Sequence, residues 1–480
     1  MEFSQLYFAF WFLPLFFICY YLFGHFFKTR AKNLVMLIFS LFFYAWGEPV
    51  YVILMIYSTV LDYTTGQMIE RSNTRFKKNI WLSVSLIGNL GLLGIFKYLD
   101  FFIETVNLIP TLNLPLRNIA LPIGISFYTF QTMSYSIDVY RGKIKAEKNI
   151  FDFATYVTMF PQLIAGPVVR YETIHNELHE RSETLDNFAS GLRRFIIGLS
   201  KKVLISNAMA SVADSLYNAE NPLLSVTSDV SSLGVIGSWI VMLSYTLHIY
   251  FDFSGYSDMA IGIGKMLGFN FLENFNYPYI SKSITDFWRR WHISMSTFFR
   301  DYVYFSLGGN RCSKLKWIRN IFIVWFLTGL WHGAEWNFVL WGLYFAVILL
   351  IEKLFLSKIL DKLPIINHFY ALFLIVYGWV IFRHSDLTVI GEFTKAMFGA
   401  YGLFGEGETS LYTLLYQAGI GTSAIITFLF AVIASTPILK KLKNKSSLKV
   451  VGDILLILLF ALSVVKLVLG SYNPFIYFKF

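Results

Sequence analysis

The stretch "LTGLWHGAEWNF", Leu327 to Phe338, places one titratable ring, His332, inside some thirty otherwise apolar residues. An imidazole changes charge close to neutral pH. It can take a proton from an attacking hydroxyl and hand it to a leaving group, help worth roughly 10²–10⁴ in rate. Two readings are open for His332: a general base, or a hydrogen-bonded packing residue. The flanking Trp331 and Trp336, with Gly329 and Gly333, do not separate them.

A second group lies in "SITDFWRRWHISMSTFFRDYVYFSLGGNR", Ser283 to Arg311. Trp288, Trp291, Met295, Phe298 and Tyr302 step by three and four, the spacing of an apolar helical stripe. The spacing predicts an amphipathic helix at the cytoplasmic interface, with Asp286 near its start and His292 beside the stripe. Arg289, Arg290 and Arg300 fit two roles there: snorkelling to lipid headgroups, or facing a phosphate-bearing donor alongside Trp288 and Trp291. In "FPQLIAGPVVRY", Phe160 to Tyr171, two prolines and a glycine rule out a regular helix, and irregular backbone at membrane depth must be buried in protein or line a cavity. The preceding Ser126, Tyr128, Gln131, Tyr135 and Asp138 read either as a polar helix side facing an interior or as hydrogen-bonding glue between helices. Asp252 and Asp258 fit capping or site-shaping roles, with no proton transfer assigned to them. Cys19 and Cys312 share no metal-type spacing, so neither a metal site nor a disulfide is expected.

The elements that must position these residues are membrane helices. Only 15% of the 480 residues are charged, against about 25% in a soluble domain, while 56% are hydrophobic and 19% aromatic. The net charge of +10 is scattered over short loops, which suits topology and anionic headgroups and argues against nucleic acid as a partner. Apolar runs recur along the chain and predict about eleven crossings plus re-entrant or interfacial pieces, in a single membrane domain over 1–480. The first run, 6–27, lacks a basic leader and a cleavage site and reads as a retained span. Basic loops at 28–32, 71–78, 141–148 and 440–449 belong in the cytoplasm by the positive-inside rule; 214–229 and 401–415, without Lys or Arg, belong outside. Counting from 440–449 puts the C-terminal tail on the outer side. The run 321–350 would be ~45 Å long as one helix against a ~30 Å hydrocarbon core, so a break is expected between Gly329 and Asn337. No internal repeat is visible, which disfavours transporter folds built on inverted repeats.

Seven segments in order, "FYAWGEP" (43–49), "LPIGISFYTFQTMSYSIDVYRG" (121–142), "FPQLIAGPVVRY", "YFDFSGYSDMAIGIGKMLGFN" (250–270), "DFWRRWHISMSTFFRDYVYFSLGGNR", "GLWHGAEW" and the terminal "PFIYFKF", resemble the membrane-bound O-acyltransferase (MBOAT) superfamily, in its bacterial alginate and peptidoglycan O-acetyltransferase branch. The resemblance implies an all-α polytopic fold around a central tunnel. It implies that His332 matches the family's catalytic histidine and His292 its second histidine. The tail "FIYFKF" (475–480) resembles the branch's short aromatic motif, in which the residue matching Tyr477 carries the acyl group as a transient phenolic ester. An aromatic anchor at the membrane surface is the other reading of that tail. The resemblance further implies acetyl-CoA or another acyl thioester as donor substrate and no permanently bound cofactor. It implies a bacterial inner-membrane location, an extracytoplasmic SGNH-type partner transferase, and a polysaccharide acceptor. Asn320 is a candidate oxyanion donor. D-alanyl transfer to teichoic acid and a non-enzymatic transporter or flippase are the rival functions; the fused tyrosine tail disfavours the former.

Overall fold

The computed structural model describes residues 2–219, 221–406, 411–443, 449–470 and 472–476. These residues fold as helices joined by turns, with one isolated bridge, Tyr217 to Thr227, as the only β pairing among them. Among the described residues, seven helical stretches are long and apolar enough to cross a membrane: Phe8–Ala45, Arg75–Asn107, Leu185–Leu216, Val230–Met266, Trp336–Leu360, Ile366–Arg383 and Val450–Val468. The other expected crossings fall on shorter or more polar helices, Val52–Arg71, Ile125–Tyr140, Lys314–His332 and Thr422–Ala434. Large apolar side chains point outward along these helices, as at Trp11, Ile457 and Val468. A water-soluble surface does not carry apolar patches of that extent.

The chain divides into two compact units, Met1–Phe195 with Tyr256–Glu273, and Ile196–Gly255 with Asn274–Phe480. In the first, Phe8–Ala45 is two helical arms and not one long rod. Lys28 takes φ 60° and reverses the chain, so that Phe12 packs on Phe39 and Phe43 with ring centroids 5.7 and 5.6 Å apart. The run expected at 6–27 is therefore the first arm of this hairpin. The Ile125–Tyr140 helix is buried over nearly all its length. Its Ser136 hydroxyl meets Ser85 and Asn89 at the buried Asp62 carboxylate, at 2.5, 2.5 and 2.6 Å, which ties three helices together. Of the residues singled out from sequence, Tyr135 accepts Glu147 N–H at 2.9 Å, as glue would, whereas the Gln131 side-chain amide is buried with no hydrogen-bond partner among the described residues. The segment after Thr158 breaks as expected: a four-residue helical turn Phe160–Leu163, a further turn through Gly166, then irregular chain to Arg170, buried inside the unit as far as Val169.

The second unit is built on the helices Lys314–His332, Trp336–Ile351 and Ile366–Arg383 with the short helices of 284–304. The expected single amphipathic helix over 283–311 does not form. It is two helices, Ile284–Arg290 and Ile293–Phe298, separated where His292 adopts φ 43°. The stripe residues Trp288, Trp291, Met295, Phe298 and Tyr302 are all buried in protein, so this is an internal element and not one lying on lipid. Three-and-four spacing records which residues are apolar; it does not record whether protein or lipid covers them.

Candidate active site

The Lys314–His332 helix ends at its histidine. Gly333 N–H still reaches Gly329 O at 3.3 Å, then the chain turns through extended residues and restarts at Trp336. The two arms pack at backbone contact because glycines face them. A Cβ on Gly329 would strike the Phe338 carbonyl, and one on Gly342 would strike the Trp325 carbonyl. Small residues at such a crossing let helices approach closely. The break falls inside the stretch that the length argument marked out.

This turn sets His332 in an aromatic enclosure. Its ring is buried and lies 4.9 Å from Trp331, 5.0 Å from Trp341 and 5.3 Å from Phe382, between centroids. Phe382 is held there by Asn337, whose side-chain amide donates to the Ile381 and Phe382 carbonyls, both at 3.3 Å. Trp331 also touches His292, with centroids 5.7 Å apart, so one indole lies against both histidines.

His292 is wholly buried against Phe253. Asn274 Oδ1 lies 3.1 Å from its Nδ1 and also accepts from Ser294 N–H and Ser294 Oγ, at 3.1 and 2.9 Å. A backbone N–H can only donate, so the Asn274 atom is the carbonyl oxygen, and His292 carries its proton on Nδ1. Its Nε2 is a bare lone pair, buried with no hydrogen-bond partner among the described residues. Burial pushes the His292 pKa down to about 3, so the ring is neutral at physiological pH. A left-handed backbone at a non-glycine residue costs about 1–2 kcal/mol, and such residues cluster at functional sites. Here Ile293 N–H bonded to Asn274 O at 3.0 Å helps to hold the conformation. The Ile284–Arg290 helix is fixed in turn by Glu352, whose carboxylate accepts from Ile284 N–H, Thr285 N–H and the Thr285 hydroxyl at 2.6–2.8 Å.

Several expected roles change. Asn320 is not available to an oxyanion: its amide group donates to the Leu307 and Gly309 carbonyls, both at 3.1 Å, and it lies twelve residues before His332, roughly 18 Å along the helix. Trp288 packs on Trp325, Trp341 and Phe345, and Trp291 on Phe287 and Trp379, so neither offers a face to a nucleotide. Arg290 pairs with Asp286 at 2.9 Å and Arg300 with Asp301 at 2.8 Å. Arg289 is exposed and makes no ion pair among the described residues, which leaves it the strongest of the three for an anionic donor.

A second polar group in the same unit escaped the sequence reading apart from Asp252. Lys202 Nζ pairs with Asp252 Oδ1 at 2.6 Å, and Ser206 Oγ lies 2.9 Å from His248 Nδ1. Lys202 and Ser206 share a widened π-turn, Lys201–Ser206, a local form frequent at functional sites. The C-terminal segment docks here. Lys202 Nζ donates to Pro474 O, Asn207 Nδ2 to Asn473 Oδ1 at 2.9 Å, and Ile476 N–H to Asp252 Oδ2 at 3.0 Å. Phe475 and Ile476 are buried. Tyr477 lies outside the described residues. The signal in sequence was a lysine and a histidine inside apolar runs, but nothing there paired them.

The family model for membrane-bound O-acyltransferases matches residues 3–382, which takes in both histidines. The chain belongs to the MBOAT family. It is 40% identical over its whole length, and over the whole of that protein, to the probable alginate O-acetylase AlgI of Pseudomonas putida. It is 35% identical to the peptidoglycan O-acetyltransferase of Helicobacter pylori, over 82% of this chain and 79% of that one. A teichoic acid D-alanyltransferase of Bacillus subtilis is 31% identical over 49% of this chain and 60% of its own length. This MBOAT protein is thus a multi-pass membrane O-acyltransferase, and the transporter reading falls away.

Proposed function

We propose that this O-acyltransferase moves an acetyl group from a cytoplasmic thioester, acetyl-CoA being the simplest donor, to an acceptor hydroxyl on the far side of the bacterial inner membrane, for O-acetylation of a surface or cell-wall polysaccharide. The observation that carries the reading is His332 at a helix end, enclosed by Trp331, Trp341 and Phe382, in a chain alike over its full length to alginate O-acetylases. His332 removes the hydroxyl proton as the oxygen attacks the carbonyl carbon. The C–S bond then breaks, the thiolate takes that proton back, and the products are an ester and a thiol. The tetrahedral oxyanion needs a neutral donor. With Asn320 engaged, the indole N–H of Trp341 takes its place: the ring contacts His332, and the N–H is buried with no acceptor among the described residues. Trp341→Phe keeps a ring of similar bulk and drops the donor; transfer is expected to fall tenfold or more at unchanged donor affinity, and an unchanged rate removes the assignment.

Tyr477 is the proposed first acceptor, passing the acetyl group to an extracytoplasmic partner transferase and then to polymer. The clamp of Asp252 on Ile476 N–H supports this, since it fixes the chain one residue before that phenol. A phenol, with pKa near 10, leaves more readily than a sugar alcohol. Acetyl content of the surface polymer in cells carrying Tyr477→Phe tests the relay: it is expected to drop to background, and normal acetylation excludes it. D-alanyl transfer is the second reading, favoured by the D-alanyltransferase similarity over half the chain. Offering purified protein both labelled acyl groups separates the two.

A further inference from the structure

In the first unit, which contains neither His292 nor His332, Glu147, His175 and His179 bring a carboxylate oxygen and two imidazole nitrogens within 4.8 Å of one another. We propose that these three residues bind a divalent transition-metal ion, zinc being the best chemical match, with water in a fourth position. His175 and His179 stand four residues apart on the Tyr171–His179 helix, hence on one face, with ring centroids 5.1 Å apart. Glu147 comes from the loop after Tyr140 and is buried beneath them.

Each ligand has its own support. Glu147 Oε1 accepts Asn149 N–H at 2.8 Å, and its Oε2 accepts the Tyr171 hydroxyl and lies 3.0 Å from His179 Nε2. The Tyr171 hydroxyl also lies 2.9 Å from His175 Nδ1. Asp152 Oδ2 sits 4.0 Å from His179 Nδ1, placed by hydrogen bonds from Asn33 and Asn149 at 2.7 Å to its two oxygens. A carboxylate behind a ligating imidazole is the outer-shell partner that orients such rings. Two nitrogens and one oxygen with an open position is a donor set zinc accepts, at ~2.0–2.2 Å per bond. A tetrahedron of that size sets donor atoms ~3.4 Å apart, so rotation of the two rings is enough to close the site. The His179 side chain is 42% exposed, which gives ion and water a way in. The bound ion would fasten the 141–149 loop to the Tyr171–His179 helix. The sequence reading expected no metal from the spacing of Cys19 and Cys312; this carboxylate and histidine pair lie in separate segments, joined only by folding.

The test uses the full-length protein, purified in detergent through a histidine-free affinity tag, loaded with Zn²⁺ and dialysed. Elemental analysis is expected to find about one ion per chain, and Co²⁺ loading is expected to give the visible absorption of a four-coordinate nitrogen–oxygen site. His175→Ala/His179→Ala is expected to lose both signals. His179→Gln alone, at a half-exposed position that folding tolerates, is expected to weaken zinc retention at least tenfold. Wild-type protein that retains no ion after dialysis, or a cobalt spectrum that the double variant shares, overturns the site and leaves a hydrogen-bonded His–Glu cluster.

Discussion

The two histidines that lie against Trp331 differ in ways their residue type does not reveal. His292 is locked by Asn274 into the tautomer with its proton on Nδ1, and its pKa is held at about 3 by burial. It orients or accepts, and it does not carry positive charge at working pH. That has a sign for stability. Between pH 6.5 and 3 the unfolded chain binds a proton at this ring and the folded one does not, so His292 lowers stability as pH falls through that window and adds no slope above it. The melting temperature in detergent is expected to fall less between pH 7 and pH 4.5 in His292→Gln than in wild type. An equal or steeper fall in the variant contradicts a neutral buried ring. The helix break at His332 was legible from its setting in a long apolar run, which left the role of the ring open between base and packing residue. Asn274, which fixes the other histidine, was not: it lies eighteen residues upstream, and no spacing rule joins an amide to a ring across a loop.

At the scale of elements, what positions His332 is the hairpin between Lys314–His332 and Trp336–Ile351, and what permits the hairpin is the absence of side chains at Gly329 and Gly342. Gly329→Val is expected to push the arms apart, costing about 1–3 kcal/mol and reducing transfer with it. A thermal melt of the purified variant reads the first effect, and an unchanged melt would mean that the arms do not pack through this glycine. The turn itself could be read from length alone, since thirty apolar residues overrun the bilayer. The break at His292 could not. The apolar stripe steps evenly through Trp288, Trp291 and Met295, and periodicity does not register a single residue at φ 43°. The same blindness turned a buried pair of short helices into an expected surface helix, and buried Trp288 and Trp291 into expected ligand contacts.

For the whole molecule, membrane class and family were legible from composition and from the order of seven motifs, because both follow from local sequence. The polar pairings that organise the second unit were not. Lys202 meets Asp252 from fifty residues away, and from the far end of the chain Pro474 O meets Lys202 and Ile476 N–H meets Asp252, contacts that only folding creates. The Val450–Val468 helix shows the opposite economy: it buries little and offers Ile454, Leu455, Ile457 and Leu458 outward, the exposure expected of a lipid-facing element. Its service to the site is to deliver the segment Tyr472–Ile476 to the Lys202–Asp252 pair. The claim on which all of this converges is that His332 performs the acyl transfer. Membranes holding equal amounts of wild-type or His332→Ala protein, supplied with a labelled acetyl thioester, measure it by the rate at which label enters alkali-labile ester. A fall of roughly 10²–10⁴ at unchanged thermal stability is the expected result, and a folded His332→Ala protein that transfers at the wild-type rate would contradict the account.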